Sequence, residues 1–470
     1  MASFRLFRHY IPTPFIFLMA IEALIFYGSI YASAHLRFLG SIDPEFQIAQ
    51  SIGDLQPRAW AFAVVMFLSM LAMGLYQAQR REGLSNVMLR VGVSYVIASV
   101  ALALLFYMFP HLYFGRGVFL LAVFSSFFII VALRSLFLNT VDRNVLKRRV
   151  LVYGAGRQAA MINDLRKSTD QFRVYVVGFV HVPGEHDVIE SHKVIRLKIP
   201  LVQYVQEEQI DEIVVAINDR RKNYPLDELL DCRLSGVEVI EPVQFVERET
   251  GKLHIDLLHP SWMIFSDGFD RGSLRTSSER VFDIFASLLL LVMSAPLMLI
   301  TALAIWFESY GKHPILYRQI RVGLDGEPIM LYKFRSMRVG AEKDGEPLWA
   351  QRGDARVTRV GVIIRKYHID ELPQLFNILA GDMSLIGPRP ERPEFVQDLV
   401  KQIPFYAERH RVKPGLAGWA QLNYPYGCSQ EDALQKLQYD LYYVKNHSLF
   451  LDFLILLQTA EVVLWGRGAR

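Results

Sequence analysis

Cysteine is nearly missing from this chain: 470 residues carry two, Cys232 and Cys428. They lie far apart, which excludes a CxxC metal or redox motif and any disulfide framework. Basic residues form no long tract and the net charge is +4, which argues against a nucleic-acid partner. A signal-peptide cleavage site is also lacking. Arg5 and Arg8 precede a long apolar run without a small-residue cleavage motif, so the run reads as an uncleaved first membrane span. Apolar surface, by contrast, is abundant. Hydrophobic residues make up 52% of the chain and mean hydropathy is +0.22, which suits a protein that is part membrane and part cytoplasmic. The length allows two or three domains.

Four apolar segments fill the first third, at residues 14–34, 59–76, 88–109 and 118–138. Each is near the ~20 residues that a helix needs to cross a bilayer. Glu22 is the one clear charge inside the first, and it is expected to face other helices. Arg5 and Arg8 precede the first segment, Arg80, Arg81 and Arg90 separate the second from the third, and Arg143, Lys147, Arg148 and Arg149 follow the fourth. The remaining loops set Arg37 and Arg58 against Asp43, Glu45 and Asp54, or carry Arg116 alone. Positive-inside counting therefore puts the N-terminus, the middle loop and everything after Arg143 in the cytoplasm. Residues 1–145 are expected to be a bundle of four transmembrane helices.

Residues 146–250 read as a small Rossmann-like α/β domain. "RRVLVYGAGRQAAMINDLRK" is a strand, a glycine turn and a helix, and "YVVGFV" and "EIVVAI" are further buried parallel strands. Gly154, Gly156 and Ala159 form a G-x-G-x-x-A pattern, the dinucleotide-binding fingerprint. No acidic residue ends the second strand to hold a ribose, so structural or regulatory use is favoured over catalytic use of NAD. The domain also offers a surface for a homodimer.

Residues 251–276 read as a polar linker with a few strand-like pieces. A fifth apolar run follows at 281–307, with Asp283 near its start and Ser294 and Pro296 at its middle. Proline removes a helix hydrogen bond and clashes with the preceding turn. A kinked hairpin that enters and leaves the membrane on one face is expected; a kinked fifth span would strand the last third outside the cell. Beyond it, Arg318, Arg321, Lys333, Arg335 and Arg338 are interleaved with Tyr317, Tyr332 and Phe334, and Arg356, Arg359, Arg365, Lys366, Arg389 and Arg392 follow. Such forks bind phosphate oxygens, and cations beside a membrane segment attract anionic head groups.

In "HIDELPQLFNILAGDMSLIGPRP" the apolar residues Leu372, Leu375, Phe376 and Leu379 mark one face of a helix. Asp370 is expected as its N-cap, Pro373 in its first turn and Gly381 at its end. Asp370 and Glu371 would then stand at the positive end of a helix dipole. With the clustered arginines around them, the pair is a candidate for Mg²⁺ binding and for nucleophilic attack on phosphorus. His368 is read as structural, since no second ligand lies at a metal-site spacing. The segment "HSLFLDFLILLQTAEVVLWG" carries Asp452 and Glu461, which suits an amphipathic helix on the membrane or against the hairpin, with Trp465 at the interface.

"YKFRSM", "RVTRVGVIIRKYHIDELPQLFNILAGDMSLIGPRPERPEF", "RVKPGLAGWAQLN" and "YDLYYVKNHSLFLDFLILLQTA" resemble the bacterial sugar transferase family, the polyprenyl-phosphate hexose-1-phosphate transferases. The resemblance covers residues 277–470 as a mainly α catalytic domain with a re-entrant membrane helix. The four spans and the middle domain resemble the family's large members of exopolysaccharide assembly. The resemblance implies that a UDP-sugar gives its sugar-1-phosphate to undecaprenyl phosphate, releasing UMP, at the cytoplasmic face of a bacterial inner membrane. It implies that Asp370 is the nucleophile and that Glu371 orients Mg²⁺ or assists proton transfer. Arg389 and Arg365 would neutralise phosphate, Lys333 and Arg335 would form a basic wall, and Asp440 matches a further acidic position. Two departures stand out: "YHIDE" replaces a "TSLDE" pattern, and Ala295, not a serine, precedes Pro296.

Two alternatives belong to other classes. An NAD-dependent UDP-sugar dehydratase needs a Tyr-x-x-x-Lys pair, and the nearest approach, "YYVKN", has the wrong spacing. A non-catalytic scaffold that senses nucleotide would tolerate loss of the Asp-Glu pair.

Overall fold

The computed structural model describes residues 3–6, 9–40, 42–73, 75–76, 84–140, 148–168, 174–218, 224–258, 260–266, 268–269, 272–340, 356–424, 427 and 429–465. Arg8, Arg80, Arg81, Arg143, Lys147 and Cys428, named above, lie outside these residues. Contacts divide the chain into two units, Met1–Glu249 and Thr250–Arg470.

In the first unit, the helices Thr13–Arg37, Leu55–Ala72, Leu84–Met108 and Arg116–Thr140 are long and apolar enough to cross a membrane. The second begins four residues before the expected apolar run because Asp54 caps it, accepting from Gln56 N at 2.9 Å. Thr13–Arg37 packs on both Leu55–Ala72 and Arg116–Thr140. Phe26, Phe62, Met66 and Leu102 fill the interior, while Phe17, Leu24, Val96, Leu104 and Phe128 face outward. An apolar exterior around an apolar interior is what a lipid environment selects. Glu22 faces inward as expected. Arg134 Nε and Nη2 grip its two oxygens at 2.6 and 2.8 Å, and Tyr76 Oη donates to it at 2.5 Å. Arg134 Nη1 also donates to Leu75 O at 3.1 Å.

The same unit holds a five-stranded parallel sheet with helices. Its central strand, Arg148–Tyr153, pairs with Val174–Val180 on one side and Glu212–Val215 on the other. Val194–Ile195 and Glu238–Ile240 form the edges. Leu151, Ile213, Val214 and Val215 are buried, so the strands carry the near-continuous apolar runs typical of a sheet covered on both faces.

The second unit begins with the segment read above as a linker, and its described residues form no strand. It is instead part of the unit's core: Leu253 and Leu257 are buried, Leu253 N donates to Gln438 O (2.9 Å), and Trp419 Nε1 donates to Gly251 O (2.8 Å). The helix Ser273–Glu308 follows, longer than the expected run, with Pro296 inside it. Both of its ends dock on this unit. Near its start, Arg280 donates to Ile378 O and Leu379 O. Near its end, Ile305 packs with Phe334 and Ile364, and Glu308 Oε1 accepts from Val360 N at 3.1 Å. Between these anchors Leu289, Val292, Met293, Leu299 and Ile300 are exposed.

An antiparallel hairpin, Leu316–Val322 with Pro328–Phe334, comes next. The short helices Arg359–Lys366 and Gln374–Ala380 lead to the strand Ser384–Ile386, which pairs parallel with Gly415–Ala417. The last helix, Leu449–Trp465, packs on this strand pair, with Leu451, Asp452 and Ile455 buried. Its described face is therefore used inside the unit. The side chains of Glu461 and Trp465 lie outside the described residues.

The Glu22–Arg134 pair generates a stability prediction. Arg134→Met leaves a buried carboxylate unpaired and should cost about 3 kcal/mol. Adding Glu22→Leu should recover most of that loss, as read by thermal melts of the detergent-solubilised protein.

Candidate active site

Asp370 and Glu371 do not cap a helix. The helix Gln374–Ala380 starts after Pro373, and the pair sits earlier, in a 3-10 turn at Ile369–Glu371. Backbone bonds here run i→i+3: Glu371 N to His368 O, Leu372 N to Ile369 O and Phe376 N to Pro373 O. That tighter winding separates the pair from the helix and leaves Asp370 with no cap contact. His368 starts the turn in the left-handed region at φ 55°, where histidine is tolerated better than bulkier residues. Gly381 closes the helix at φ 99°, as expected. The buried face differs from the expected one. Leu375 and Ile378 point inward with Gln374 and Asn377, and Phe376 is half exposed. Asn377 is drawn inward because it completes the hairpin's edge: its Nδ2 donates to Met330 O (2.7 Å) and its Oδ1 accepts from Tyr332 N (3.1 Å).

That clamp fixes the strand that carries Lys333. Lys333 Nζ lies 2.8 Å from Glu371 Oε1, and Arg389 Nη2 lies 2.7 Å from the same oxygen. Burial alone would raise the Glu371 carboxyl, but Arg389 and Lys333 outweigh it and hold the group well below the usual carboxylate range. Asp370, buried beside it, is shifted the other way. Burial and the Glu371 charge push its carboxyl up, offset in part by Lys333, Arg389 and His368. The Asp370 carboxylate makes no hydrogen bond or ion pair with another described residue. Two adjacent carboxylates thus have opposite environments, one neutralised by two cations and one available.

Asp440 does not reach the pair. It is buried and forms an ion pair with Arg409 Nη2 at 2.8 Å; burial pushes its carboxyl up to about 6. Arg409 Nη2 also donates to Arg389 O at 3.0 Å, and Nη1 donates to Tyr406 Oη at 2.9 Å. Asp440 therefore acts through Arg409 on the backbone of Arg389. Sequence reasoning missed Arg409 and Asn377. Their only signal is a polar side chain within a stretch that packs inward.

The other expected phosphate ligands disperse. Arg335 is buried and turns toward the end of the long helix, with Nη2 3.5 Å from Ile305 O. Arg321 Nη1 donates to Pro390 O (3.3 Å), beside the loop that carries Arg389. Arg318 is exposed, with its guanidinium over the Tyr332 ring. Arg365 is half buried on Arg359–Lys366, one turn before Asp370. Ser294 Oγ reaches back to Leu291 O at 3.5 Å, ahead of Pro296. Among the described residues no group of three His, Cys, Asp or Glu could hold a metal by itself. The donor set still fits Mg²⁺, an ion commonly bound by one or two carboxylates plus substrate phosphates. Asp370 supplies oxygens without a hydrogen-bond partner among the described residues.

The glycine turn is built for internal packing. Gly154 has φ 128°, and a Cβ there would run into Ala216 O. A Cβ on Gly156 would meet the Asn218 amide. Asn218 Oδ1 accepts from Gln158 N (3.2 Å), and Asn218 N donates to Glu185 Oε1 (2.9 Å). The chain's own amide and carboxylate thus cover the start of the helix Arg157–Ser168.

The sequence profile of the bacterial sugar transferases matches residues 274–466, and that of a CoA-binding domain matches residues 71–231. The chain is 45% identical over 247 residues to the UDP-N-acetylgalactosamine-undecaprenyl-phosphate N-acetylgalactosaminephosphotransferase of Aeromonas hydrophila, covering 52% of this chain and 56% of that protein. It is 41% identical over 185 residues to the UDP-glucose:undecaprenyl-phosphate glucose-1-phosphate transferase of Klebsiella pneumoniae, covering 38% of this chain and 39% of that one. These matches span only about half or less of each relative. The match to the protein of the same name in Xanthomonas campestris pv. campestris is longer: 31% identity over 367 residues, 72% of each chain.

The opposed carboxylates give a pH-dependent prediction. A carboxyl raised in the folded state favours folding at pH below its unfolded value, and that benefit is lost as pH rises through the folded value. Asp370→Asn removes this group, so it should raise the melting temperature at neutral pH by a few degrees. The gain should shrink near pH 4. Glu371→Gln should do the reverse at neutral pH and lower stability, because it breaks both ion pairs.

Proposed function

The chain belongs to the bacterial sugar transferase family, and from that premise we propose that it moves a sugar-1-phosphate from a UDP-sugar to undecaprenyl phosphate. The observation that carries the reading is the Asp370 carboxylate, without a partner among the described residues, beside a Glu371 held by Lys333 and Arg389. An Asp370 oxygen attacks the sugar-bearing phosphorus. The bond from that phosphorus to the UMP oxygen breaks, UMP leaves, and the sugar phosphate remains on Asp370 as an acyl phosphate. An oxygen of undecaprenyl phosphate then attacks the same phosphorus, releasing Asp370 and forming the undecaprenyl-diphospho-sugar. Arg389 and Lys333 stand where they would share their charge between Glu371 and the phosphate oxygens as negative charge develops. Mg²⁺, held by Asp370, Glu371 and the donor's phosphates, would supply further charge neutralisation when bound.

The membrane arrangement supports the same chemistry. The four N-terminal apolar helices are read as spans. The doubly wound order of the parallel sheet supports a Rossmann-like fold; the positive charges after the fourth span argue for that domain lying in the cytoplasm, and its use is read as structural, regulatory or dimer-forming. For the fifth apolar helix, two anchors argue for re-entry. A straight helix from Arg280 to Ile305 would extend about 37 Å. Yet Ile305 packs on Phe334, about 7 Å along the strand from Tyr332, and Tyr332 N bonds Asn377, next to Arg280's partner Ile378. A helix bent back at Pro296 would satisfy both contacts at short range, which favours re-entry over a straight span. Its exposed middle then dips into the bilayer while Asp370 stays at the surface, where the lipid phosphate lies.

The test is UMP release by the full-length protein in detergent, supplied with undecaprenyl phosphate, Mg²⁺ and a panel of UDP-sugars that includes UDP-glucose and UDP-N-acetylgalactosamine. Turnover should need the lipid phosphate, stop with EDTA and fall at least about a thousandfold in Asp370→Asn. Undiminished turnover in Asp370→Asn would remove Asp370 from the reaction.

A further inference from the structure

The long apolar helix does more at its root than enter the membrane. Arg280 and Asp283 are three residues apart, so they share one face of the helix Ser273–Glu308. Each holds a different limb of the site. Arg280 donates Nη1 to Ile378 O (2.5 Å) and Nη2 to Leu379 O (2.6 Å). These are end carbonyls of Gln374–Ala380, groups that no helix can satisfy internally, and a cation there suits the helix dipole. That helix carries Asn377, which fixes the Lys333 strand, and it follows directly on the Asp370–Glu371 turn. Asp283 is buried, and its Oδ1 accepts from Leu385 N (2.9 Å) and Ser384 Oγ (3.0 Å). The strand Ser384–Ile386 runs three residues on into Arg389. One turn of the membrane helix therefore grips both the segment that bears the carboxylates and the segment that bears the guanidinium that neutralises one of them.

We propose that Arg280 and Asp283 are positioning residues for the transfer reaction, setting the Arg389–Glu371–Lys333 geometry from the root of the membrane helix. The proposal rests on the function proposed above, but the contacts do not. Asp283 acts as a hydrogen-bond acceptor, so an amide oxygen in its place should serve. Misplacing Arg389 by a fraction of an ångström should lower turnover without removing substrate affinity.

The experiment uses full-length protein in lipid nanodiscs with Asp283→Ala, Asp283→Asn, Arg389→Ala and the double variant Asp283→Ala/Arg389→Ala. In Asp283→Ala, kcat for UMP release should fall about tenfold to a hundredfold with KM changed little. Asp283→Asn should restore most of it. The Asp283→Ala loss should largely vanish in the Arg389→Ala background, because the two act through one contact. Ser384→Ala, a milder change from the other side of the bond, should show the same non-additivity if Asp283→Ala fails to fold. Amide exchange without substrate separates this proposal from the function itself. The Leu385 amide should exchange at least about tenfold faster in Asp283→Ala and near the wild-type rate in Asp283→Asn. Full additivity with Arg389→Ala, no rescue by asparagine, or unchanged exchange at Leu385 would each overturn the proposal. Absence of UMP from every UDP-sugar in the wild type would sink the proposed function and this proposal with it, whereas UMP formation with unchanged exchange at Leu385 would sink this proposal alone.

Discussion

The C-terminal site depends on one buried carboxylate oxygen, Glu371 Oε1, held by Lys333 at 2.8 Å and Arg389 at 2.7 Å. A charge placed out of water must be paired, and these partners come from two distant stretches of the chain. Satisfying Glu371 therefore ties the hairpin strand Pro328–Phe334 and the loop after Ser384–Ile386 to the turn Ile369–Glu371. Once both cations are committed to Glu371, Asp370 is left as the carboxylate without a partner among the described residues. The polar residues behind it serve the same constraint. Asn377 seats the Lys333 strand, and the Asp440–Arg409 pair seats the Arg389 carbonyl.

The membrane half applies the same physics to a different end. Glu22, Arg134 and Tyr76 are satisfied among themselves and buried, so nothing is left over to react. The contrast separates a structural charge network from a chemical one. In the first, every ionised oxygen has a donor. In the second, one member is held by its surroundings and its buried neighbour has no partner among the described residues. The Gly154 turn belongs with the first kind, since Asn218 and Glu185 already cover its helix start.

Much of this was legible in the sequence because it rests on length and spacing. Apolar runs of helix-crossing length announced the N-terminal bundle, and buried strand runs announced the parallel sheet. "HIDELPQ" and "GPRP" announced the pair and its arginine. What stayed hidden depends on which backbone group needs a partner. The edge strand Val194–Ile195 is two residues long and carries no pattern. Asp370 looked like a helix cap, yet the chain winds i→i+3 there and the helix starts four residues later. Arg335 sits in the same basic motif as Lys333, two residues on, and strand alternation would put both on one face; the strand ends at Phe334, however, and Arg335, just past it, ends at Ile305 O. Asp283 read only as a charge that argued against a plain span. Its purpose is clear once Leu385 N is seen to need an acceptor.

The proposed reaction turns on whether Asp370 carries the phosphosugar between donor and lipid. The most direct measurement is intact-protein and peptide mass spectrometry after mixing the full-length protein with Mg²⁺ and its UDP-sugar, with lipid phosphate left out. A covalent route requires a mass increase of one sugar-phosphate on the peptide that contains Asp370, absent in Asp370→Asn and discharged when undecaprenyl phosphate is added. Turnover with the lipid present but no adduct on that peptide, or an adduct on another residue, would contradict it.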